Sequence, residues 1–215
     1  GLYRNVHVIV TENAHIPVWG TYVTTPTATK EFAKVNVRTQ IVLLEGADAG
    51  KYSVKTSVWN PNGQKLTEQT IPLSQIKYND NSLSQEFIIQ TPTLWSPDMP
   101  ALYSAETRLY EGDQLKDIYT TPFGIRSIEI IPNKGFFLNG EKTVFKGVCN
   151  HHDLGPLGAA VNDAAIRRQI RILKDMGCNA IRTSHNMPAP ELVRACDEMG
   201  MMLMVESFDE WNKAK

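Results

Sequence analysis

Asn179-Ala-Ile-Arg-Thr-Ser-His185 is the stretch that decides the fold of the second half of this 215-residue chain. Its apolar start is typical of a buried strand, and its polar end is typical of the loop that follows one. Pro190 then fits the first position of a helix, Gly200 fits its end, and Met201–Val205 is apolar throughout. The order strand, loop, helix, strand predicts parallel strands joined by a crossover helix.

A second crossover helix is predicted immediately upstream. Val144–Cys149 is typical of a strand, and Asn162 fits the N-cap of a helix that ends before Gly177. Gly135–Glu141 predicts a small hairpin with an Asn-Gly turn. The apolar positions of the predicted helix recur at helical spacing: Ile166, Ile170, Leu173 and Met176. Residues 125–215 are therefore predicted to form a β-α-β-α-β unit with a parallel sheet.

Polar side chains follow all three predicted strands of this unit. The carboxyl ends of parallel strands meet at one edge of a sheet, which is where α/β proteins bind their ligands. We therefore expect a functional site at this edge. Its candidate residues are Asn150-His151-His152-Asp153 after the first strand, Thr183-Ser184-His185-Asn186 after the second, and Glu206 with Asp209, Glu210 and Trp211 after the third.

The polar residues that follow the first two strands fit either a structural role or a ligand-binding role. Either His151 or His152 taken alone is more often a hydrogen-bonded structural histidine than a ligand-binding one. Asp153 also fits the role of a turn cap. A metal site made of these three residues and His185 is a weaker interpretation, since no Cys/His pair shows ligand spacing.

The third strand also permits two interpretations. Arg182 fits either an ion pair with Glu206 at the edge of the core or a contact to a substrate. An ionised carboxylate after a buried strand needs a partner, so Glu206 is either paired structurally or functional. Asp209 and Glu210 fit a solvated charged face as well as a site.

Residues 12–124 predict an all-β domain. Short segments alternate apolar and polar residues with period two, and turn residues separate them. Short strands at this spacing without a helical pattern indicate an immunoglobulin-like β-sandwich, although no cysteine is present for the disulfide of antibody domains. Residues 1–11 also alternate and are assigned to the last strand of a preceding domain or to the first strand of the sandwich. The predicted strands are Val35–Ile41, Tyr52–Val58, Gln85–Gln90, Leu102–Tyr110 and Leu115–Phe123, with a turn at Asn60–Gly63.

Composition excludes some classes of partner. The net charge is −1 and no run of Lys or Arg occurs, so nucleic acid is not an expected partner. No apolar run reaches the roughly 18 residues of a membrane helix, so no membrane partner is expected. Cys149, Cys178 and Cys196 lie beside apolar neighbours, which predicts core packing rather than disulfides or metal binding.

The segment Asn179–His185, followed by Asp197 and Gly200, resembles the characteristic motif of family 2 glycoside hydrolases. The resemblance spans the chain in order and implies the end of a jelly-roll domain at 1–11, the sandwich at 12–124, and the first three βα-type units of a (β/α)₈ TIM barrel at 125–215. Further segments that are similar to the family are Gly1–Arg4, Leu94–Tyr103, Phe123–Arg126 and Gly147–Asp153.

This resemblance implies a retaining, exo-acting β-glycosidase that removes terminal β-D-galactose, with a carbohydrate as substrate and no cofactor. A β-glucuronidase or another β-glycosidase of the family is the alternative. From a different class, a non-catalytic immunoglobulin-like spacer or sugar-binding module is also considered. A periplasmic or secreted location is slightly favoured over a cytoplasmic one.

The family's site residues carry over to matching positions of this sequence. His151 and His185 are expected to contact the sugar, and Asp153, Asn186 and Glu206 to complete the same pocket. Relatives usually have Tyr and Pro after the second histidine, where this chain has Asn186 and Met187; Asn212 replaces a histidine that holds a cation in some relatives, so no metal is expected. Lower-ranked candidates for the pocket are His152, Arg182, Asp209, Glu210 and Trp211.

The catalytic carboxylates are expected outside this chain. A retaining mechanism needs two carboxyl groups about 5–5.5 Å apart, and the acid/base of the family follows an Asn in an Asn-Glu pair, which this sequence lacks. A complete barrel typically needs about 250 residues. The chain is thus expected to be an inactive part of a larger enzyme. Residues 125–215 are expected to be its less stable part and to self-associate through unpaired sheet edges.

Overall fold

The computed structural model describes residues 5–75 and 82–208. The chain forms two compact units. One comprises Val8–Leu94 and Ala101–Ile128, and the other comprises residues 5–7 and 95–100 together with the described residues from 129 onward.

The first unit is an immunoglobulin-like β-sandwich. One antiparallel sheet has the strand order β2-β3-β7, the other has the order β6-β5-β8-β9, and β1 pairs with β4 in a short ladder. This arrangement confirms the predicted fold class of the first half. The strands are β1 (Ala14–His15), β2 (Thr21–Ala28), β3 (Phe32–Gln40), β4 (Val42–Leu43), β5 (Tyr52–Trp59), β6 (Lys65–Pro72), β7 (Ser82–Gln90), β8 (Leu102–Glu111) and β9 (Gln114–Gly124).

A buried polar layer divides the core of the sandwich into two apolar clusters. Thr56 Oγ1 donates to Gln85 Oε1 at 2.6 Å and lies 3.3 Å from Thr107 Oγ1, and Gln85 Nε2 donates to the Gln69 carbonyl at 2.9 Å. These hydrogen bonds satisfy groups that burial would otherwise leave unpaired. The layer fixes the register of the strands, because a slip by one residue would turn its members outward. One cluster contains Val35, Val37, Val58, Phe87 and Tyr103, and the other contains Ile41, Val54, Leu73, Leu83 and Leu109.

Five strands of the sandwich, β3, β5, β7, β8 and β9, were predictable from their alternation, but β2, β6 and the two-residue strands β1 and β4 were not. Every residue of β6 is exposed or half-buried, and its sequence carries no apolar period. It is held as an edge strand by backbone pairing to β5. The predicted turn at Asn60–Gly63 is confirmed: Gly63 has φ +75° and its N–H donates to the Asn60 carbonyl at 2.9 Å.

Residues 5–11 form no strand, and Val6, Val8, Ile9 and Val10 are exposed. They therefore do not provide the first strand of the sandwich. Their assignment to a preceding domain stays a prediction, and residues 1–4 lie outside the described part of the chain.

The second unit contains the start of a TIM barrel. Strands β13, β14 and β15 form a parallel sheet in that order, with α1 and α2 as crossovers, which confirms the predicted β-α-β-α-β unit. A separate small sheet has the order β10-β11-β12, with the expected Asn-Gly turn between β11 and β12. The elements are β10 (Ile128–Ile131), β11 (Gly135–Leu138), β12 (Glu141–Lys142), β13 (Gly147–Asn150), α1 (Asp163–Asp175), β14 (Ala180–Thr183), α2 (Pro190–Met199) and β15 (Met202–Val205).

Both helices begin and end where the sequence predicts. The Asn162 side chain caps α1 by accepting from the Ala165 N–H at 2.9 Å, and Gly177 follows the helix with φ +86°. Pro190 begins α2, and Gly200 ends it in the left-handed region with φ +73°. A Cβ at Gly200 would also lie 2.2 Å from the Pro97 carbonyl oxygen, so glycine is required there for two reasons.

The two faces of the parallel sheet have different surroundings. Ile181, Val148 and Leu203 pack against the apolar sides of α1 and α2, while Cys149 and Met204 on the opposite face are exposed. The prediction that Cys149 packs in a core is therefore wrong, because alternation along β13 turns it away from the helices. Cys196 is buried as expected, Cys178 is half-buried, and all three thiols are free. No helix among the described residues is long and apolar enough to span a bilayer.

The segment Trp95–Pro100 lies between β7 and β8 in sequence but packs in the second unit. Trp95 is 3% exposed, and its indole N–H donates to the Asp197 carbonyl of α2 at 2.8 Å. Lys174 Nζ, in the last turn of α1, donates to the carbonyls of Pro97 (2.8 Å) and Gly200 (3.1 Å). These contacts tie the C-terminal ends of both helices to one loop.

Candidate functional site

Strand register brings the three predicted polar segments to one edge of the sheet. Asn150 of β13 is paired with Thr183 of β14, and Thr183 is paired with Val205 of β15. The residues that follow these positions, His151, Ser184 and Glu206, therefore begin their loops at the same level. This edge is the carboxyl end of the parallel strands, where ligands bind in such folds.

Glu206 joins the second and third strand ends through a shared carboxylate. Its Oε1 accepts from Arg182 Nε at 2.5 Å and also pairs with Arg182 Nη2, whereas its Oε2 lies 2.8 Å from His185 Nδ1. The Glu206 N–H donates to Thr183 Oγ1 at 3.1 Å, which anchors the backbone at the strand end. The ion pair of Arg182 with Glu206, one of its two interpretations, is present, and a contact of Arg182 with a substrate stays a prediction.

The charges of this cluster are held in place by their hydrogen bonds. Burial alone raises the pKa of Glu206, but the hydrogen bonds from His185 and Arg182 outweigh it and hold the pKa below its usual value. Contacts with Cys149 Sγ, at 3.5 Å from Nη1, and with Glu206 raise the pKa of Arg182. Both groups therefore remain ionised near neutral pH.

His151, after the first strand, approaches the same cluster. The imidazole rings of His151 and His185 pack edge to face with centroids 5.5 Å apart. Two imidazoles from different strand ends and a carboxylate shared between Arg182 and one of them thus form a compact polar group. Such a group can donate to and accept from the hydroxyls of a polar ligand.

A cleft beside this group contains further predicted residues. His151, His152, Asp153 and Asn186 line it, together with apolar side chains of α1 and α2. Thr183 and Ser184, at the end of β14, form part of its wall. The sequence prediction that these segments converge is consistent with this arrangement, while their roles as ligand contacts stay a prediction.

The cleft also contains residues to which the sequence analysis assigned no individual role. Ser184 is 1% exposed and its Oγ has no hydrogen-bond partner among the described residues, and the same holds for Asn150 Nδ2. Gln169 of α1 lines the cleft as well. Asn150 and Ser184 belong to the polar runs that the sequence places after the strands, whereas Gln169 was missed, because nothing local distinguishes it within an amphipathic helix.

The metal site that was considered does not form among the described residues, and three of the candidate residues cannot be placed. Within residues 5–75 and 82–208, no group of three His, Cys, Asp or Glu side chains is arranged to hold a metal ion, so His151, His152, Asp153 and His185 do not form the metal site that was considered. Asp209, Glu210 and Trp211 lie outside the described residues.

Both units match known family models. Residues 14–126 match the model described as glycosyl hydrolases family 2, and residues 129–212 match the one described as glycosyl hydrolases family 2, TIM barrel domain. The first match covers the sandwich and the second covers the parallel sheet with its helices.

Individual relatives agree with these matches. The chain is 43% identical over 215 residues to the β-galactosidase BoGH2A of Bacteroides ovatus, covering 100% of this chain and 25% of that protein. It is 35% identical over 214 residues to a putative β-glucuronidase of Formosa agariphila, covering 99% of this chain and 20% of that protein. The chain thus spans a quarter or less of the length of these two relatives.

A solved structure shows the same architecture. The crystal structure of a glycosyl hydrolase family 2 member from Bacteroides cellulosilyticus superposes with a TM-score of 0.91 at 37% identity, covering 99% of this chain and 29% of that one. Because the match covers 99% of this chain, it includes residues of both units.

Proposed function

The chain belongs to glycosyl hydrolase family 2, and on that premise we propose that it forms part of a retaining, exo-acting β-glycosidase whose substrates are terminal β-D-galactosides. In this role the chain supplies one side of the sugar pocket. The observation that carries the proposal is the cluster of His151, His185 and Glu206 at the carboxyl ends of parallel strands.

The cluster suits binding of a sugar better than cleavage of its glycosidic bond. A general acid that works near neutral pH needs a carboxyl group with a raised pKa. Glu206 has a lowered pKa and is occupied by Arg182 and His185, so it is a poor proton donor. The acid/base and the nucleophile are therefore assigned to residues outside 1–215, in agreement with the absence of an Asn-Glu pair from this sequence.

The charge of the cluster favours a neutral sugar over a glucuronide. A glucuronide carries a carboxylate, which proteins usually bind with an arginine or lysine that is available for pairing. Arg182 is the guanidinium of this cluster, and Glu206 already neutralises it. Among the described residues that line the adjacent cleft, there is no arginine or lysine. A galactoside presents only hydroxyls, which imidazole, amide and hydroxyl groups can bind.

The proposal is tested by the hydrolysis of aryl β-D-galactoside and aryl β-D-glucuronide by the full-length protein. We expect a higher kcat/KM for the galactoside, and a loss of about 100-fold or more in His185→Ala if this side chain stabilises the transition state. His15→Ala is the matched control, because His15 lies in the sandwich and contacts the Glu12 carbonyl. The proposal is wrong if neither substrate is hydrolysed or if His185→Ala and His15→Ala have equal activity.

A non-catalytic spacer or sugar-binding module is the competing function. It predicts that the full-length protein binds a β-galactoside without hydrolysing it, or does neither. The same assay, combined with calorimetric titration of methyl β-D-galactoside, separates the two.

A further inference from the structure

We propose that Asn150 and Ser184 together bind one hydroxyl oxygen, which belongs to an ordered water molecule or to a hydroxyl of a sugar. The site lies at the carboxyl ends of β13 and β14, in the cleft beside the histidine and glutamate cluster. Its occupation by water is independent of the proposed function, whereas its occupation by a sugar hydroxyl rests on it.

Two shielded polar atoms define the site. Ser184 is 1% exposed, and its Oγ has no hydrogen-bond partner among the described residues. Asn150 Nδ2 is likewise shielded from solvent and has no partner in that part of the chain. A buried donor or acceptor without a partner costs free energy, and native proteins satisfy nearly all such groups with protein atoms or ordered water. Two such atoms at neighbouring strand ends therefore indicate a bound ligand.

The backbone places the two residues side by side. Asn150 is the last residue of β13, and Ser184 follows the last residue of β14. The Ser184 N–H donates to the Asn150 carbonyl at 2.8 Å. Both residues line the same cleft. One small ligand in this cleft therefore serves both side chains.

The size of the cleft selects a ligand of very few atoms. Its volume is about 40 Å³. This exceeds the roughly 10–15 Å³ that one water molecule needs. It is far below the roughly 300–1,000 Å³ of pockets that enclose whole organic ligands. The cleft therefore admits a water molecule, or a single hydroxyl of a sugar whose ring lies outside it.

The chemistry of the lining selects a neutral hydroxyl. The amide nitrogen of Asn150 carries two hydrogens and only donates, so it does not ligate a metal ion. An anion is disfavoured, because Asp153 lines the cleft and no arginine or lysine among the described residues does so. A hydroxyl accepts from the amide and either donates to or accepts from Ser184 Oγ, so it satisfies both atoms at once.

The bound oxygen links the ends of two strands. It adds a side-chain connection to the backbone hydrogen bond between Ser184 and Asn150. These residues directly precede His185 and His151 in sequence. The connection therefore helps to fix the points at which the two histidine-bearing loops begin.

The direct test is a crystal structure of the full-length protein, at a resolution that shows ordered water, from crystals grown and cooled without polyols. We expect an oxygen within about 2.5–3.2 Å of both Ser184 Oγ and Asn150 Nδ2. A hydrogen bond from Ser184 Oγ to another protein group, or no oxygen within reach of both atoms, overturns the proposal. This measurement needs no variant.

The same crystals soaked in D-galactose identify the source of the oxygen. A water that stays in place shows that the ligand is water, and a galactose hydroxyl at the same position shows that the sugar supplies it. Either result supports the site. If the full-length protein hydrolyses no β-galactoside, the proposed function fails while the water site stands.

Hydrogen exchange of the full-length protein tests the site in solution. If Ser184 Oγ has a bound partner, Ser184→Ala loses a hydrogen bond, and peptides that cover residues 146–150 and 180–184 should exchange about tenfold faster. If Oγ has no partner, the substitution removes a buried hydroxyl at no loss. Slower or unchanged exchange would therefore overturn the proposal. Ser104→Ala in β8 is the matched control and should leave these peptides unchanged.

A double variant tests whether one oxygen serves both side chains. Asn150→Ala should accelerate exchange of the same peptides to a similar extent. The double variant should then exchange about as fast as either single variant, because the second substitution removes a group that has already lost its ligand. Effects of the two substitutions that simply add would show two separate sites and overturn the shared oxygen.

Discussion

His185 Nδ1 and Glu206 Oε2 are 2.8 Å apart although they belong to the ends of different strands, 21 residues apart in sequence. The contact exists because β14 and β15 pair in parallel with Thr183 opposite Val205, which places the two following loops side by side. The same carboxylate holds Arg182 of β14. A short stretch of parallel sheet thus converts three separate polar residues into one charged and oriented group.

Gly200→Ala should destabilise the second unit more than Gly177→Ala. Both glycines follow a helix with positive φ, so each substitution loses about 1 kcal/mol or more through backbone strain. A Cβ at Gly177 meets open space, whereas one at Gly200 would lie 2.2 Å from the Pro97 carbonyl oxygen. Gly177→Ala is therefore the matched control for the helix end. Hydrogen exchange of peptides that cover residues 163–205 measures the difference, and equal protection in both variants would contradict the contact with Pro97.

Glu68 in the sandwich should titrate far below an ordinary glutamate. Hydrogen bonds from Lys65 (2.7 Å) and then Lys55 (3.1 Å) lower its pKa from 4.5 to about 2. Because the folded pKa is the lower one, the ionised carboxylate favours the folded state fully above pH 4.5, and this contribution is lost as the pH falls through about 2. An NMR titration of the carboxyl carbon checks the midpoint.

Lysine variants identify the cause of that shift. Lys65→Met should raise the midpoint of Glu68 more than Lys55→Met, since the Lys65 contact is the larger contribution. Lys34→Met, which removes the partner of Glu86 on another strand, is the control and should leave Glu68 unchanged. A wild-type midpoint near 4.5 would show that the contacts with Lys65 and Lys55 do not persist in solution.

Cys149 should react with iodoacetamide much faster than Cys196 in the native chain. Cys149 is exposed on the face of β13 that points away from the helices, whereas Cys196 is 1% exposed. Burial raises the pKa of the Cys196 thiol to about 12, so its reactive thiolate is scarce at pH 8. Peptide mass spectrometry after timed labelling checks the order. In urea both cysteines should react at similar rates, and similar rates without urea would refute the buried position of Cys196.

The 215-residue chain should self-associate through the exposed face and end of its parallel sheet. Val144, Phe145, Met204 and Val205 are exposed there, and clustered apolar side chains promote association. Sedimentation velocity should show a mass that increases with protein concentration, and Met204→Lys should weaken the association. Met176→Lys, at the exposed end of α1, is the control. A monomer at every concentration would refute this prediction.

The helix ends of the second unit could be read from sequence because local residues decide them. Asn162 acts through its own side chain, Gly177 and Gly200 through their backbone freedom, and Pro190 through its fixed φ. The convergence of the three polar loops was predictable for a similar reason, since parallel strands leave their carboxyl ends at one edge.

Features that depend on distant pairing were not predictable. Strand β6 has no apolar alternation and exists because β5 offers it a backbone partner. The Trp95 indole reaches the Asp197 carbonyl across 102 positions, and nothing near Trp95 in sequence indicates that contact. The ion pair of Arg182 with Glu206 was anticipated as one alternative. The contact of His185 with the same carboxylate was not, because it depends on the register of the strands.

On the proposed function, residues 1–215 supply the sugar-contacting side of a β-galactosidase whose catalytic carboxylates lie elsewhere in the protein. The most direct test is the release of nitrophenol from p-nitrophenyl β-D-galactoside by the full-length protein and by the 215-residue chain, at equal concentration. We expect hydrolysis by the full-length protein, a lower kcat/KM for the matching β-D-glucuronide, and no hydrolysis by the chain alone. Hydrolysis by the chain alone, or a preference of the full-length protein for the glucuronide, would contradict it.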